Sequence, residues 1–318
     1  MQIMRIALLV VTGALCTAGN ASAQDAPYPS KLVRIVVPSS PGSMTDVLAR
    51  ALGERLSQTW QQQIIVENRP GIGGMASVAK AVPDGYTIML VGNGFAILSK
   101  INANLPFDPL RDFVGISKIA TMPTILVIPS SSPAKSLTEF IDIARAQSGE
   151  MSYASAGLGS TAYIGAELFK QAGQFGMVHV PYKGTPDALT SIMRGDTAMF
   201  FTPAISGIEL IQSGKVRGLA VAGPARLPNL PTVPTFAEAG LPQFVYDAWV
   251  AMVAPANTRQ PILKKISADV ETVMKLPEIQ NLFLQQGVMP VGSTSEEITA
   301  LLNADAARYK QLLPEPRN

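Results

Sequence analysis

The chain is short of the residues that carry out reactions. It has one cysteine, Cys16, and one histidine, His179, in 318 residues. A disulfide framework is excluded by count, and a metal site built on histidine or cysteine has no ligand set. Charged residues make up only 15 % and the formal net charge is +2, so neither a nucleic-acid surface nor an acidic tail is expected. No G-x-x-x-x-G-K-[ST] phosphate loop is present. After the N-terminal segment no apolar run reaches the length of a membrane helix. What remains is an apolar content of 47 %, enough for a large core and two lobes.

The first residues read as a secretion signal. Arg5 supplies a positive start, "IALLVVTGALC" is an apolar stretch too short to span a bilayer, and "ASAQ" offers cleavage after Ala23. A lipoprotein anchor is disfavoured, because "GAL" before Cys16 lacks the usual leucine and small residue. Removal of residues 1–23 takes Cys16 with it and leaves a chain suited to an oxidising compartment. A soluble periplasmic protein is expected.

Beyond that segment, short apolar runs alternate with helical patterns. "LVRIVV" (32–37), "IIV" (64–66), "TIMLV" (87–91), "ILVI" (125–128), "MVHV" (177–180), "AMFF" (198–201) and "LAVA" (219–222) read as strands covered on both faces. Leu48, Leu52, Leu56 and Trp60 recur at helical spacing, as do Ile262, Ile266, Val270 and Val273. The alternation predicts an α/β fold of doubly wound, mainly parallel sheets with flanking helices. Two proline-bracketed stretches, around 119–136 and 223–242, are candidate hinges. They predict a discontinuous first domain, 24–124 plus 228–318, an inserted second domain, 125–227, and a ligand cleft between them.

Three strand-to-helix loops are rich in small and hydroxyl residues. In "VVPSSPGSMTD" (36–46), Pro38 and Pro41 stop a strand, Gly42 permits unusual dihedrals, and Ser43 can cap a helix with Asp46 as capping-box partner. The bare N–H groups of such a helix start favour an anion. The same residues read equally well as an ordinary cap. "SAGLGST" (155–161) repeats the design with Ser155, Gly157, Gly159, Ser160 and Thr161, and "HVPYKGTPDAL" (179–189) offers Lys183 and Gly184. Four or five hydrogen bonds to a carboxylate give a gross gain of about 6–15 kcal/mol before association costs. Micromolar binding needs about 8 kcal/mol, so a salt bridge is unnecessary.

Rival chemistries fare worse. "GLGSTA" (157–162) resembles a dinucleotide fingerprint, but no acid stands near "MVHVPYKG" to hold a ribose. A Ser–His hydrolase would have to use His179, and "YASAG" carries Tyr153 where a nucleophile elbow needs glycine. His179 therefore reads as structural, and neither metal nor cofactor is expected. Phe95 and Trp249 read as core more readily than as pocket lining.

The motifs "YPSKLVRIVVPSSPGSMTDVLARALGERL", "IIVENRPGIGG", "PDGYTIML", "YASAGLGSTAYIGAELF", "VHVPYKGTPDALT" and "LPTVPTFAEAGLP" occur in that order. Together they strongly resemble the Bug-type solute-binding proteins of tripartite tricarboxylate transporters, from about Tyr28 to the C-terminus. The resemblance implies a two-domain binding protein of the type II Venus-flytrap fold with no catalysis. It implies a small carboxylate ligand and delivery to a permease with one large and one small integral subunit. It also implies that the loops matching Pro41–Asp46 and Ser155–Thr161 clasp a ligand carboxylate, partly through ordered waters. The candidate set from the first loop is Ser40, Gly42, Ser43, Met44, Thr45 and Asp46. The second loop adds Ser155, Gly157, Gly159, Ser160 and Thr161, and the rest of that domain adds Lys183, Gly184 and Thr202. Two stretches depart from the family pattern. Ser40-Pro41-Gly42-Ser43 replaces Pro-Pro-Gly-Gly, and Thr202 stands where an aspartate often meets the far end of the ligand. Loss of that acid disfavours amino acids and favours di- or tricarboxylates or aromatic acids. A monomer is expected. A sensor accessory, or an enzyme acting on a small organic acid, is the alternative function.

Overall fold

The computed structural model describes residues 27–310 apart from Ser40, Ala103, Val245 and Asp247. The proposed signal segment, its cleavage site after Ala23 and the candidate Ser40 lie outside the described residues.

The first apolar run forms β1 (Val33–Val37), in which Val33, Ile35 and Val37 are fully buried. It lies between β2 (Ile64–Asn68) and β3 (Thr87–Gly92) and runs parallel to both. The crossovers are α1 (Met44–Trp60) and α2 (Ile72–Ala79). On α1 the stripe Leu48, Leu52, Leu56 and Trp60 is buried in the core of this sheet. Each such side chain contributes about 1.5–3 kcal/mol. After a 3-10 turn, Asn93–Ile97, and the short α3 (Leu98–Ile101) comes β4 (Phe113–Met122).

The chain then crosses to a second sheet within one residue, Pro123. There it lays down β5 (Thr124–Pro129), α4 (Leu137–Ala146), β6 (Ser152–Ser155), α5 (Thr161–Gly173) and β7 (Val178–Pro181). The unit ends with α6 (Thr185–Arg194), β8 (Met199–Pro203), α7 (Ala204–Gln212) and β9 (Val216–Ala222). The strand order is β7-β6-β8-β5-β9. The C-terminal part returns to the first sheet as β10 (Ala248–Pro255), α8 (Gln260–Met274), α9 (Pro277–Gln285), β11 (Met289–Pro290) and α10 (Ser295–Lys310). This completes the order β11-β4-β10-β3-β1-β2. The architecture is the two-lobed α/β fold expected from the alternating pattern. Among the described residues no helix is long and apolar enough to cross a membrane.

Two details differ from the sequence reading. Strand β5, expected in a mainly parallel sheet, and β10, which was not among the expected strands, are buried along their whole length, yet each runs antiparallel to both neighbours. A continuous apolar run reports cover on both faces and leaves direction open. The second difference is where the chain leaves the second lobe. A return at residue 228 was expected, but Leu230, Val233, Phe236, Leu241, Phe244 and Tyr246 pack in the second core. The reason is aromatic. Phe236 lies 5.8 Å from Phe201 and 4.0 Å from Phe244. The amide of Phe236 also donates to the Val221 carbonyl, which ties the proline-rich segment to β9. The chain changes sheets only at Ala248.

Candidate functional site

The start of α1 is a knot of hydroxyls held by a carboxylate. Ser43 caps the helix and accepts from the Asp46 amide at 3.3 Å. Ser39 Oγ lies 2.6 Å from Ser43 Oγ and 2.7 Å from Thr45 Oγ1. Asp46 is buried, 3 % exposed, and its carboxylate is engaged by other partners. It accepts from the Gly42 amide at 2.8 Å, from Asn68 Nδ2 at 2.9 Å and from Arg50. A capping box would return this side chain to the Ser43 amide; here the bond falls one residue earlier and fixes the turn at Gly42. Burial pushes the Asp46 carboxyl up, but the Gly42 amide, Arg50 and Asn68 outweigh it and hold it below its ordinary value. Gly42 has φ +77°, and a Cβ placed there would meet nothing within 4 Å. Its glycine answers a backbone conformation, not a close approach.

The start of α5 repeats the cap with a different support. Ser160 accepts from the Tyr163 amide at 3.2 Å. Ser155 is fully buried. Its Oγ accepts from the Gly157 amide at 3.0 Å, lies 3.1 Å from the Gly157 carbonyl and sits 2.6 Å from His179 Nε2. The imidazole is covered by the rings of Tyr153 and Tyr163, 5.0 and 4.8 Å away. Burial pushes His179 below its ordinary value, with Glu167 opposing and Lys170 adding to the effect. A Ser–His pair this close invites a catalytic reading. The hydroxyl, however, has no exposed surface and is engaged by the loop it shapes, so it offers no accessible nucleophile.

These two helix starts meet across one cavity of about 390 Å³. From the first lobe come Ser39 and Thr45, together with the end of β3 and the turn that follows it, Gly92–Phe95. From the second come Leu158, Gly159, Ser160 and Thr161. The lobes touch here: a Cβ on Gly94 would sit 2.5 Å from the Gly159 carbonyl oxygen. Asn93, 1 % exposed, donates to Tyr246 Oη at 3.1 Å and accepts from Thr161 Oγ1 at 3.4 Å. Tyr246 Oη in turn donates to the Thr161 carbonyl at 2.7 Å. Helix geometry leaves the first amides of α1 and α5 without intrahelical acceptors. The cavity is therefore bordered by hydroxyls and amides that can donate to an anion.

Of the expected residues, Thr45, Gly159, Ser160 and Thr161 line this cavity. Gly42, Ser43, Asp46, Ser155 and Gly157 stand behind it and shape its loops. Met44 packs on the first core. Lys183 is exposed and borders a separate depression on the second lobe with Asp187, Arg194 and Asp196. Gly184 precedes α6 next to that depression. Thr202 is fully buried with its methyl group packed towards Gly207, so the expectation that it forms the far end of the pocket has no geometric basis. The turn after β3 supplies Asn93 and Phe95 instead. Asn93 went unread because a lone asparagine in "GNGF" has no periodicity and no capping pattern; Phe95 does line the cavity. Trp249 is core, its Nε1 donating to Asp305 at 2.8 Å.

Comparison with known proteins identifies the family. The family described as "Tripartite tricarboxylate transporter family receptor" matches residues 48–317. BugT of Bordetella pertussis is 31 % identical over 315 residues, covering 97 % of each chain. A Rhodopseudomonas palustris protein, Rpa4515, solved with adipate, is 30 % identical with a TM-score of 0.74, covering 90 % of this chain and 97 % of that one. MatC of the same organism, solved with malate, is 28 % identical with a TM-score of 0.73, covering 90 % of this chain and all of that one. With two lobes meeting over paired helix starts and a family match along most of its length, the chain belongs to the tripartite tricarboxylate transporter receptors, the Bug-type solute-binding proteins.

Proposed function

We propose that this protein captures a small carboxylate between its lobes outside the cytoplasm and hands it to a permease with one large and one small integral subunit. One observation carries the reading: hydroxyls and amide-bearing helix starts from opposite lobes converge on a single cavity. At about 390 Å³ the cavity falls within the range of small-molecule sites, about 300–1,000 Å³. The Ser160 cap uses an oxygen lone pair and leaves the hydroxyl proton to donate, so capping and ligand binding are compatible roles. Ser39, Ser43 and Thr45 share their protons with one another, and an arriving carboxylate can draw those of Ser39 and Thr45 outward. Contacts to both lobes favour the closed state by differential affinity. The relatives solved with adipate and malate support a carboxylate ligand. The occupied Ser155–His179 pair supports binding without turnover.

A thermal-shift screen of the processed protein against organic acids tests the reading. Binding to the native state alone raises the apparent stability by mass action. At least one carboxylate should raise Tm in proportion to the logarithm of its concentration. A library of acids that leaves Tm unmoved at millimolar levels would sink it. Amino-terminal sequencing of exported protein should begin at Gln24.

A further inference from the structure

We infer that the pocket takes an acid with one carboxylate and an apolar body, an aliphatic or aromatic monocarboxylate, in preference to a di- or tricarboxylate. The inference rests on the carboxylate-capture reading above and narrows it.

The donors are enough for one carboxylate. Ser39, Thr45 and Ser160 bring hydroxyls to the cavity beside the amides of the helix starts, whereas Thr161 Oγ1 donates to Asn93 at 3.4 Å; an ionised carboxylate has about four lone-pair sites for these donors to fill. Asn93 gives one N–H of its amide to Tyr246 at 3.1 Å, and its side chain also hydrogen-bonds Tyr309, so it faces those rings with its donors. The remaining side-chain lining is apolar and includes Met75 from α2, Phe95, Leu98 from α3 and Leu158. Leu158, 64 % exposed on the loop before α5, adds an apolar side chain to this wall. No Lys, Arg or His lines the cavity among the described residues. Arg50, the cation nearest the first loop in sequence, is committed to Asp46 and Asn68. Lys183 borders the other depression. A second carboxylate placed against this apolar wall would lose water and find no cation beside it, which is unfavourable. A methyl or phenyl group in its place gains by burial.

Hexanoate and adipate make a matched pair, with six carbons each and a methyl or a carboxylate at the far end. Calorimetric titration of the processed protein at pH 7 should show hexanoate binding at least tenfold tighter than adipate. Benzoate should bind and citrate should not. From butanoate to hexanoate each methylene should tighten binding about fourfold, the equivalent of about 0.8 kcal/mol per buried CH₂. Met75→Lys places a cation on the apolar wall and should shift the hexanoate-to-adipate ratio towards adipate by at least tenfold. Leu158→Lys, on an exposed loop, makes the same test without touching the core. Adipate or citrate equal to or tighter than hexanoate in the unaltered protein would overturn the inference and leave carboxylate capture standing. An unmoved ratio in both lysine variants would overturn the assignment of the apolar wall. Failure of every acid, mono- or polycarboxylate, would instead overturn the capture reading.

Discussion

The helix starts of α1 and α5 are alike in conformation and unlike in what holds them. Ser43 has φ −66° and ψ 158°, and Ser160 has φ −66° and ψ 155°. Each accepts from the amide three residues on, at 3.3 and 3.2 Å. Local chemistry dictates this much, because a serine before a helix satisfies an orphan amide wherever it occurs. The supports differ. The first loop is tied by an ionised carboxylate with an arginine and an asparagine behind it; the second is tied by a neutral hydroxyl against an imidazole between two tyrosines. A cap can be copied between two lobes, whereas its support has to be built from whatever the neighbouring strands supply. In the first lobe β2 ends on Asn68; in the second β7 contains His179.

Removing the supports should separate the two loops most strongly. Asp46→Ala strands the Gly42 amide, Asn68 and Arg50. Bonds to a charged group are worth about 1.5–3 kcal/mol each. Arg50 is half exposed and recovers water, so a net loss of about 2–3 kcal/mol in unfolding free energy is expected from denaturant titration. Ser155→Ala removes only neutral bonds and should cost about 1 kcal/mol. Equal costs would mean that the charge on Asp46 contributes nothing to the first loop. The Asp46 contribution also has a definite sign with pH. Its folded pKa lies below the ordinary value, so the stabilisation is present above that value and is lost as pH falls through the folded one.

Next in size is the contact between the two lobes. Gly94→Ala puts a methyl group 2.5 Å from the Gly159 carbonyl and so opposes close approach without entering either core. Small-angle scattering should show that the ligand-induced compaction of the unaltered protein is lost. Ligand affinity should fall at least tenfold, with each lobe as stable as before. Compaction and affinity like those of the unaltered protein would show that closure does not depend on this approach.

The caps themselves sharpen the comparison. Ser160→Ala and Thr161→Ala should each weaken ligand binding by about 1–2 kcal/mol by calorimetry, since each removes a hydroxyl lining the cavity. Ser43→Ala should weaken it less, because Ser39 and Thr45 face the cavity in its place. Both serine variants should lose about 1 kcal/mol of stability as caps. A Ser43→Ala effect on affinity as large as that of Ser160→Ala would place Ser43, not its neighbours, on the ligand.

Much of this was legible in the sequence because it is local. The Leu48-Leu52-Leu56-Trp60 stripe, the serine caps and the small-residue loops each follow from a few adjacent residues and a fixed period. What could not be read depends on residues far apart in the chain. The family resemblance puts Thr202 where an aspartate often meets the ligand, but a matching position does not tell which way a threonine turns once α7 brings Gly207 against it. The proline-rich segment looked like a boundary, and only the stacking of Phe236 and Phe244 with Phe201 shows that it belongs to the second core. Asn93 matters because Tyr246, 153 residues later, comes to meet it.

The smallest expected effect lies in the support of the second loop. His179 sits against Ser155 Oγ on β6 and between Tyr153 and Tyr163, with Glu167 and Lys170 of α5 acting on its charge. Its folded pKa lies below the ordinary histidine value, so the folded state favours the neutral ring. Between the two values the unfolded chain binds more protons than the folded one, and stability rises with pH in that window. The contribution is complete above the ordinary value of about 6.5 and declines as pH falls through the folded one. Denaturant midpoints of the unaltered protein should therefore drop on acidification from pH 7 to pH 5. His179→Gln keeps a hydrogen-bonding group near Ser155 but cannot gain a proton, so its midpoint should fall less over the same range. Parallel pH profiles for the two proteins would show that the imidazole is equally easy to protonate in both states, and that the second loop is held by packing against Tyr153 and Tyr163 and not by a neutral ring.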